Sequence, residues 1–317
     1  MNDILSNILE KHEQTRKRQN RNSFTKKKKF QPSKCHPRNF TSKNNQNSLG
    51  RSSCLNDKTL RLMKQIWNRR HPDNMIHSGN PKQLWNYFKE NLGQSCSNEM
   101  CWVDNTIQDE RMKTKIKHES FAPYAPRSWN KNKNEWLSST DITDVMRQYE
   151  DAYDDFKFFG PSPIDFDAME YKNNCVWPEI CNFNVQHMRD QRKNKLGFIF
   201  NTDDHFKSGS HWIAMFVDLG KKRSFFFDSN GTKQPREITK LMKKIQKQCL
   251  QKCNMNLKLD SNHPFVHQHS NTECGMYCLY FIVSLLKNTH NMNYFKKKRI
   301  PDSYVENFRN IYFNPSM

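Results

Sequence analysis

The sequence predicts an α+β fold in which helices flank a small, mainly antiparallel sheet, with a separate helical region ahead of it. Three observations carry this. Residues 141–156 and 238–249 place apolar side chains at helical spacing. The stretch between them breaks into short runs rich in Ile, Val, Phe and Trp, and residues 276–286 are almost wholly apolar. A chain of 317 residues has room for one sizeable core and a smaller one.

The smaller region comes first. Leu60, Met63, Ile66 and Trp67 recur at helical spacing up to Pro72. A second helix is punctuated at both ends: Asn80 caps it, Pro81 fits its first turn, Leu84, Trp85, Phe88 and Leu92 form one stripe, and Gly93 follows. Residues 94–134 read as a loop-rich junction. The expected organisation is a basic arm over 1–56, a small helical region over 57–134 and the main domain over 135–317.

In the main domain a helix runs from Asp141, with Ile142, Val145, Met146, Tyr149, Tyr153 and Phe156 on one face, and Gly160-Pro161 stops it. Strands are predicted over 196–201, 211–219 and 224–228. Gly220 to Arg223 joins the last two as a hairpin. After Pro235 an amphipathic helix turns Ile238, Leu241, Met242, Ile245 and Cys249 inward. A strand over 255–259 and the apolar helix after Cys274 complete the set.

Lys and Arg number 52 against 32 acids, a formal charge of +20. Thirteen of those cations and the single acid Glu13 lie between Lys11 and Arg51. A segment so polar cannot bury enough surface to order itself. It either keeps the chain soluble or contacts DNA or another polyanion. The first ten residues are too short and polar for a secretory leader, and residues 276–286 fall short of the ~20 needed to span a bilayer, so no membrane partner is expected. Ten irregularly spaced cysteines read as reduced thiols.

Cys274 stands out among them. It lies in Thr272-Glu273-Cys274-Gly275, where a polar loop meets the start of the most apolar helix, and free amides at a helix N-terminus favour a thiolate. Asn271 or Thr272 is the expected cap, and Gly275 would let a substrate backbone approach. Cys278, one turn on, reads as core. His211, at the mouth of a strand, is the candidate base. His211 and Asp228 are equidistant from the point between Leu219 and Gly220, so a hairpin brings them nearly opposite, where a carboxylate can orient an imidazole. Gln268, six residues before the cysteine, can donate to an oxyanion together with the Cys274 amide. A zinc site built from His263, His267, His269 and Cys274 competes, with Cys96 and Cys101 or Cys249 and Cys253 as further thiols. No pair has Cys-x-x-Cys spacing, and neither metal nor cofactor is expected.

The order His211, Asp228, Gln268, Cys274 resembles the ubiquitin-like-protein protease and adenovirus protease superfamily of cysteine peptidases. Within it the likeness is greatest to the polyprotein protease of African swine fever virus and its relatives in large DNA viruses. It rests on Asn201-Thr202-Asp203, Ser210 to Ala214, Phe216-Val217-Asp218, Thr272 to Gly275 and Arg299-Ile300-Pro301-Asp302, with a weaker echo in Phe158-Phe159 and Asp165-Phe166. It covers residues 136–313. By that resemblance the four residues are base, orienting partner, oxyanion donor and nucleophile, and Trp212 shapes a narrow cleft. Asp228 departs from the swine fever type, which has Asn there. The resemblance implies cleavage after Gly-Gly in viral structural polyproteins, at the cytoplasmic assembly site of the host and in the virion. Removal of ubiquitin-like modifiers from conjugates, acyl transfer, and a basic virion or nucleic-acid-binding protein with an inert peptidase core are the alternatives.

Overall fold

The computed structural model describes residues 29–41, 48–170 and 174–316. The expected basic arm therefore lies largely outside the described residues, which omit 1–28 and 42–47. The chain divides into two compact units, Met1–Ser33 with Gln46–Lys117, and Lys34–Asn45 with His118–Met317.

In the first unit, α1 (Asp57–Arg70) buries Thr59, Leu60 and Met63, and α2 (Pro81–Asn91) buries Leu84 and Phe88. Asn56 caps α1 through Oδ1, which accepts from the Thr59 amide at 2.8 Å. Asn80 caps α2 as its sequence position implies, accepting from the amides of Lys82 and Gln83. The segment read as loop contains two further helices, α3 (Glu99–Thr106) and α4 (Glu110–Ser120). Their signal is weak because α3 buries residues around much of its circumference, including Glu99, which leaves no clean stripe. Glu99 is held by Ser53 Oγ, the Cys54 amide and Trp85 Nε1. Burial pushes its carboxyl above the ordinary value against those three donors.

The second unit opens with α5 (Ser139–Ala152), started by a reciprocal capping box between Ser138 and Asp141. Its predicted stripe ends at Tyr149: Phe156, expected on the same helix, begins β1 (Phe156–Ser162) instead. Gly160-Pro161 lies inside that strand. An edge strand tolerates proline, and the pairing register shifts between Phe159 and Ser162. Gly160 has φ +103, and a Cβ there would lie 2.5 Å from the Ile199 carbonyl, so only glycine fits.

β2 (Lys195–Asn201), β3 (Trp212–Asp218), β4 (Arg223–Phe227) and, beyond α6 (Arg236–Cys253), β5 (Lys258–Ser261) complete one sheet of order β1-β2-β3-β4-β5. The fold class is α+β, and the sheet is mixed. The central pairings, β2 with β3 and β3 with β4, are antiparallel, whereas both edge strands pair in parallel.

The sheet carries a core on each face. Ala214 and Phe216 of β3, with Phe225 and Phe227 of β4, pack on α7 (Cys274–Leu286) and α5. Ile213, Met215, Val217 and Phe226 pack on α6. This alternation is the two-residue period of a strand with helices on both sides, and every residue of β3 is buried. All thirteen residues of α7 are buried too, which matches its all-round apolar sequence and fixes the position of its first residue, Cys274.

The cysteines differ from the expectation of reduced thiols. Cys96–Cys101 and Cys175–Cys181 are disulfides, since separations of five and six residues in tight turns bring their Cα atoms to 5.4 and 6.5 Å. Cys249, Cys253, Cys274 and Cys278 are free. Among the described residues no helix is long and apolar enough to cross a membrane.

Candidate active site

Cys274 is the first residue of α7 and only 2% exposed. The expected cap differs. Glu273 occupies the cap position but its side chain makes no cap hydrogen bond, so neither Asn271 nor Thr272 serves. The Glu273 carboxylate turns instead to Arg309, which donates from Nε at 3.0 Å and Nη2 at 2.9 Å in a buried ion pair. Burial raises the Glu273 carboxyl, and Arg309 works against that.

His211 immediately precedes β3, and Asp228 immediately follows β4. The β3–β4 ladder pairs Ala214 with Phe227. One further step sets Asp228 across from Ile213, two residues inside His211, a diagonal that a long side chain bridges. His211 Nε2 lies 2.7 Å from Asp228 Oδ1. Burial works to lower the His211 pKa, but the bond to Asp228, the neighbouring Cys274 and the charges of both outweigh it and raise it to about 9. With Nε2 spent on the carboxylate, Nδ1 is the ring nitrogen left over.

Asp228 is fixed from several sides. Its Oδ1 also accepts from the Asn230 amide at 2.9 Å, and Oδ2 from the Thr232 amide at 3.2 Å. Burial opposes its charge, yet the His211 bond, the imidazolium and these donors hold the carboxyl below the usual aspartate value. Asn262, buried, grips the backbone of Asp228: Oδ1 accepts from its amide at 3.0 Å and Nδ2 donates to its carbonyl at 2.7 Å. Thus the loop after β5 sets the acid, an arrangement with no local sequence signal.

Gln268 is buried, in the loop that leads into α7. Its Oε1 accepts from Ser229 Oγ at 2.7 Å and its Nε2 donates to the Ser270 carbonyl at 2.7 Å. The amide orientation is therefore set, and Nε2 retains a second hydrogen. The loop is anchored by Asp302, whose carboxylate accepts from the amides of His269 and Ser270, each at 3.1 Å. Tyr277, one turn beyond Cys274, donates to the same carboxylate. Asp302 closes one of the stretches that carried the resemblance, but its contact with the loop could not be read from sequence.

Trp212 is buried, and its indole donates to the Leu137 carbonyl at 2.9 Å. Gly275 faces the same pair: a Cβ there would stand 3.0 Å from Leu137 Cβ and 3.2 Å from Trp212 Cδ1. Its missing side chain admits Leu137 and Trp212, not open space for a substrate as the sequence suggested. Two of the three histidines in the competing zinc set are occupied by backbone carbonyls. His267, fully buried, meets the Phe295 carbonyl through Nε2 at 2.8 Å, and burial lowers its pKa. His263 Nδ1 meets the Gly231 carbonyl at 2.8 Å. Cys278 is buried, as expected of a core residue, and its burial pushes the thiol well up.

A thiol at a helix start, an imidazole bonded to a buried carboxylate and shifted by that sulfur, and an amide fixed in the loop before the helix are groups of the kind a cysteine protease uses. Residues 165–316 match the family described as Ulp1 protease family, C-terminal catalytic domain. A protein of Acanthamoeba polyphaga mimivirus named as a thiol protease is 29% identical over 300 residues, spanning 88% of this chain and 92% of its own. A protein of African swine fever virus named SUMO-1 cysteine protease is 26% identical over 246 residues, spanning 73% and 88%. The crystal structure of the African swine fever virus protease matches with a TM-score of 0.60 over 93% of this chain and 100% of that one; at 20% identity this likeness is one of fold. The chain is a thiol protease, and its residues 165–316 are similar to the Ulp1 family's catalytic domain.

Proposed function

We propose that the protein cleaves structural polyproteins of a large DNA virus after Gly-Gly pairs, with Cys274 as nucleophile, His211 as base, Asp228 as its orienting partner and Gln268 as oxyanion donor. The observation that supports this is the His211 ring, 2.7 Å from Asp228 and with Cys274, at the head of α7, among the groups that raise its pKa. The thiol proton rests on His211, whose imidazolium form Asp228 favours, and the sulfur attacks the glycine carbonyl. The oxyanion is received by the Cys274 amide and the second hydrogen of Gln268 Nε2. The C–N bond breaks, the imidazolium protonates the leaving amine, and a thioester forms. Water, deprotonated by His211, then frees the new carboxylate and the thiol.

A glycine preference fits the packing of Leu137, Trp212 and Gly275, which leaves little width for side chains beside the nucleophile. The likeness to proteases of two large DNA viruses supports a viral polyprotein as substrate, cut at the cytoplasmic assembly site and in the particle, with a modifier conjugate as the alternative. The test is cleavage of Gly-Gly peptides by the intact chain and by Cys274→Ala. Cleavage after the second glycine, lost in the variant, is expected; a rate retained by Cys274→Ala removes the reading.

A further inference from the structure

Beside Trp212 a groove of about 1430 Å³ crosses the surface, bounded by the start of α5, β1 and the loop over 203–209. It exceeds the ~300–1,000 Å³ of small-molecule sites, which suits a length of polypeptide. Its charge is opposite to that of the chain. Among the described residues eight carboxylates line it against three cations, Arg147, Lys157 and Lys207, in a protein of formal charge +20. Two of those cations are already engaged: Lys157 lies between Glu150 and Glu179, and Lys207 pairs with Asp204. Even a protonated His205, set between Asp165 and Glu170, leaves the carboxylates in excess.

The excess acts on Asp144, and the rim adds an aromatic face. Asp144 has its carboxyl raised, first by burial and then by the neighbouring charge of Asp141, against the weaker pull of Arg147. On the rim, Trp136 is 41% exposed, an indole face of the kind that attracts ammonium and guanidinium groups.

Leu137 and Trp212 link the groove to the reaction centre. Trp212 follows the base, packs against the glycine that follows the nucleophile, and also lines the groove. We infer that the groove receives the polypeptide segment N-terminal to the scissile Gly-Gly and selects Lys and Arg in it. This rests on the proposed function, in which the glycine pair passes Trp212 and the preceding residues continue along the wall. Long basic side chains lay their stems on Trp136 and carry their charges to Asp144 and its neighbours.

The experiment uses the intact chain and extended Gly-Gly peptides in which one Lys or one Glu is placed at successive positions before the glycines, with kcat/KM measured for each. At low salt the best Lys position is expected to exceed its Glu counterpart about tenfold, or ~1.4 kcal/mol, with the ratio shrinking as salt is added. Asp144→Lys and, separately, Glu170→Lys are expected to bring the ratio to one or below. If the wild-type chain cleaves Lys and Glu peptides alike at every position, the inference is overturned while the Gly-Gly reading stands. The same holds if the ratio is unmoved by either charge reversal. If no Gly-Gly peptide is cleaved, the proposed function fails and the inference with it.

Discussion

The Tyr277 hydroxyl donates to the Asp302 carboxylate at 2.9 Å, so the helix that begins with Cys274 and the loop that carries Gln268 share one anchor. Asp302 holds the loop that carries Gln268, the proposed oxyanion donor. Asp302→Asn keeps the volume but gives up one acceptor oxygen. It is expected to lower kcat by about 10- to 100-fold with little change in KM, since an oxyanion donor acts in the transition state. Tyr277→Phe removes one of the three donors to that carboxylate, a hydroxyl shared with the Ile300 carbonyl at 2.7 Å, and is expected to cost less. A fall in thermal midpoint with kcat intact, in both variants, would reduce Asp302 to a purely structural role.

The His211 imidazolium sets the pH range. Its folded pKa, about 9, lies above the ordinary 6.5. The stability it contributes is therefore fully present below pH 6.5 and is lost as pH rises through about 9. Thermal stability and kcat/KM are both expected to fall on the basic side near pH 9. In Asp228→Asn the bond and charge of the carboxylate go, so the basic limb should move toward neutrality and kcat/KM should drop by about 100-fold or more. A pH–rate profile of the two proteins decides this, and an unmoved limb would dissociate Asp228 from the base.

Gly275→Ala tests the packing at the cleft. The added methyl meets Leu137 Cβ at 3.0 Å and Trp212 Cδ1 at 3.2 Å, both on the wall beside the nucleophile. Overpacking of this kind costs ~1–3 kcal/mol. The variant is expected to lose several degrees in melting temperature and to raise KM for Gly-Gly peptides as Trp212 is displaced.

The Glu273–Arg309 pair is buried on both sides, at 2% and 6% side-chain exposure. Removing one partner leaves the other charge without compensation, at a cost of ~3–5 kcal/mol. Arg309→Met and Glu273→Gln are each expected to destabilise strongly in denaturant titrations. The double replacement Glu273→Met with Arg309→Leu should cost less than the two singles together, because no charge is then stranded.

Much of the site was legible because it is written in local pattern. The apolar run after Cys274 marked a buried helix. The equal spacing of His211 and Asp228 from a hairpin placed them within reach, and the observed 2.7 Å contact follows from a ladder centred one residue beyond the expected point. The helix over 57–70 announced itself by its apolar spacing, and that over 81–91 by cap and stripe. By contrast, β1 was concealed because Phe156 continues the helical spacing of Tyr149 and Tyr153, and Gly160-Pro161 reads as a stop unless the strand is known to lie at an edge.

What the sequence by itself determined is the chemistry: a thiol at the head of an apolar helix, an imidazole and a carboxylate on adjoining strands, and an amide just before the thiol. Tertiary structure alone decided what holds them still. Asn262 on the backbone of Asp228, Ser229 on Gln268, Asp302 on the 269–270 amides and Arg309 on Glu273 join residues 32 to 39 positions apart. A periodic pattern records which face of an element is buried. A hydrogen bond between two loops depends on where the packed sheet and helices bring their ends, and it leaves no period to read.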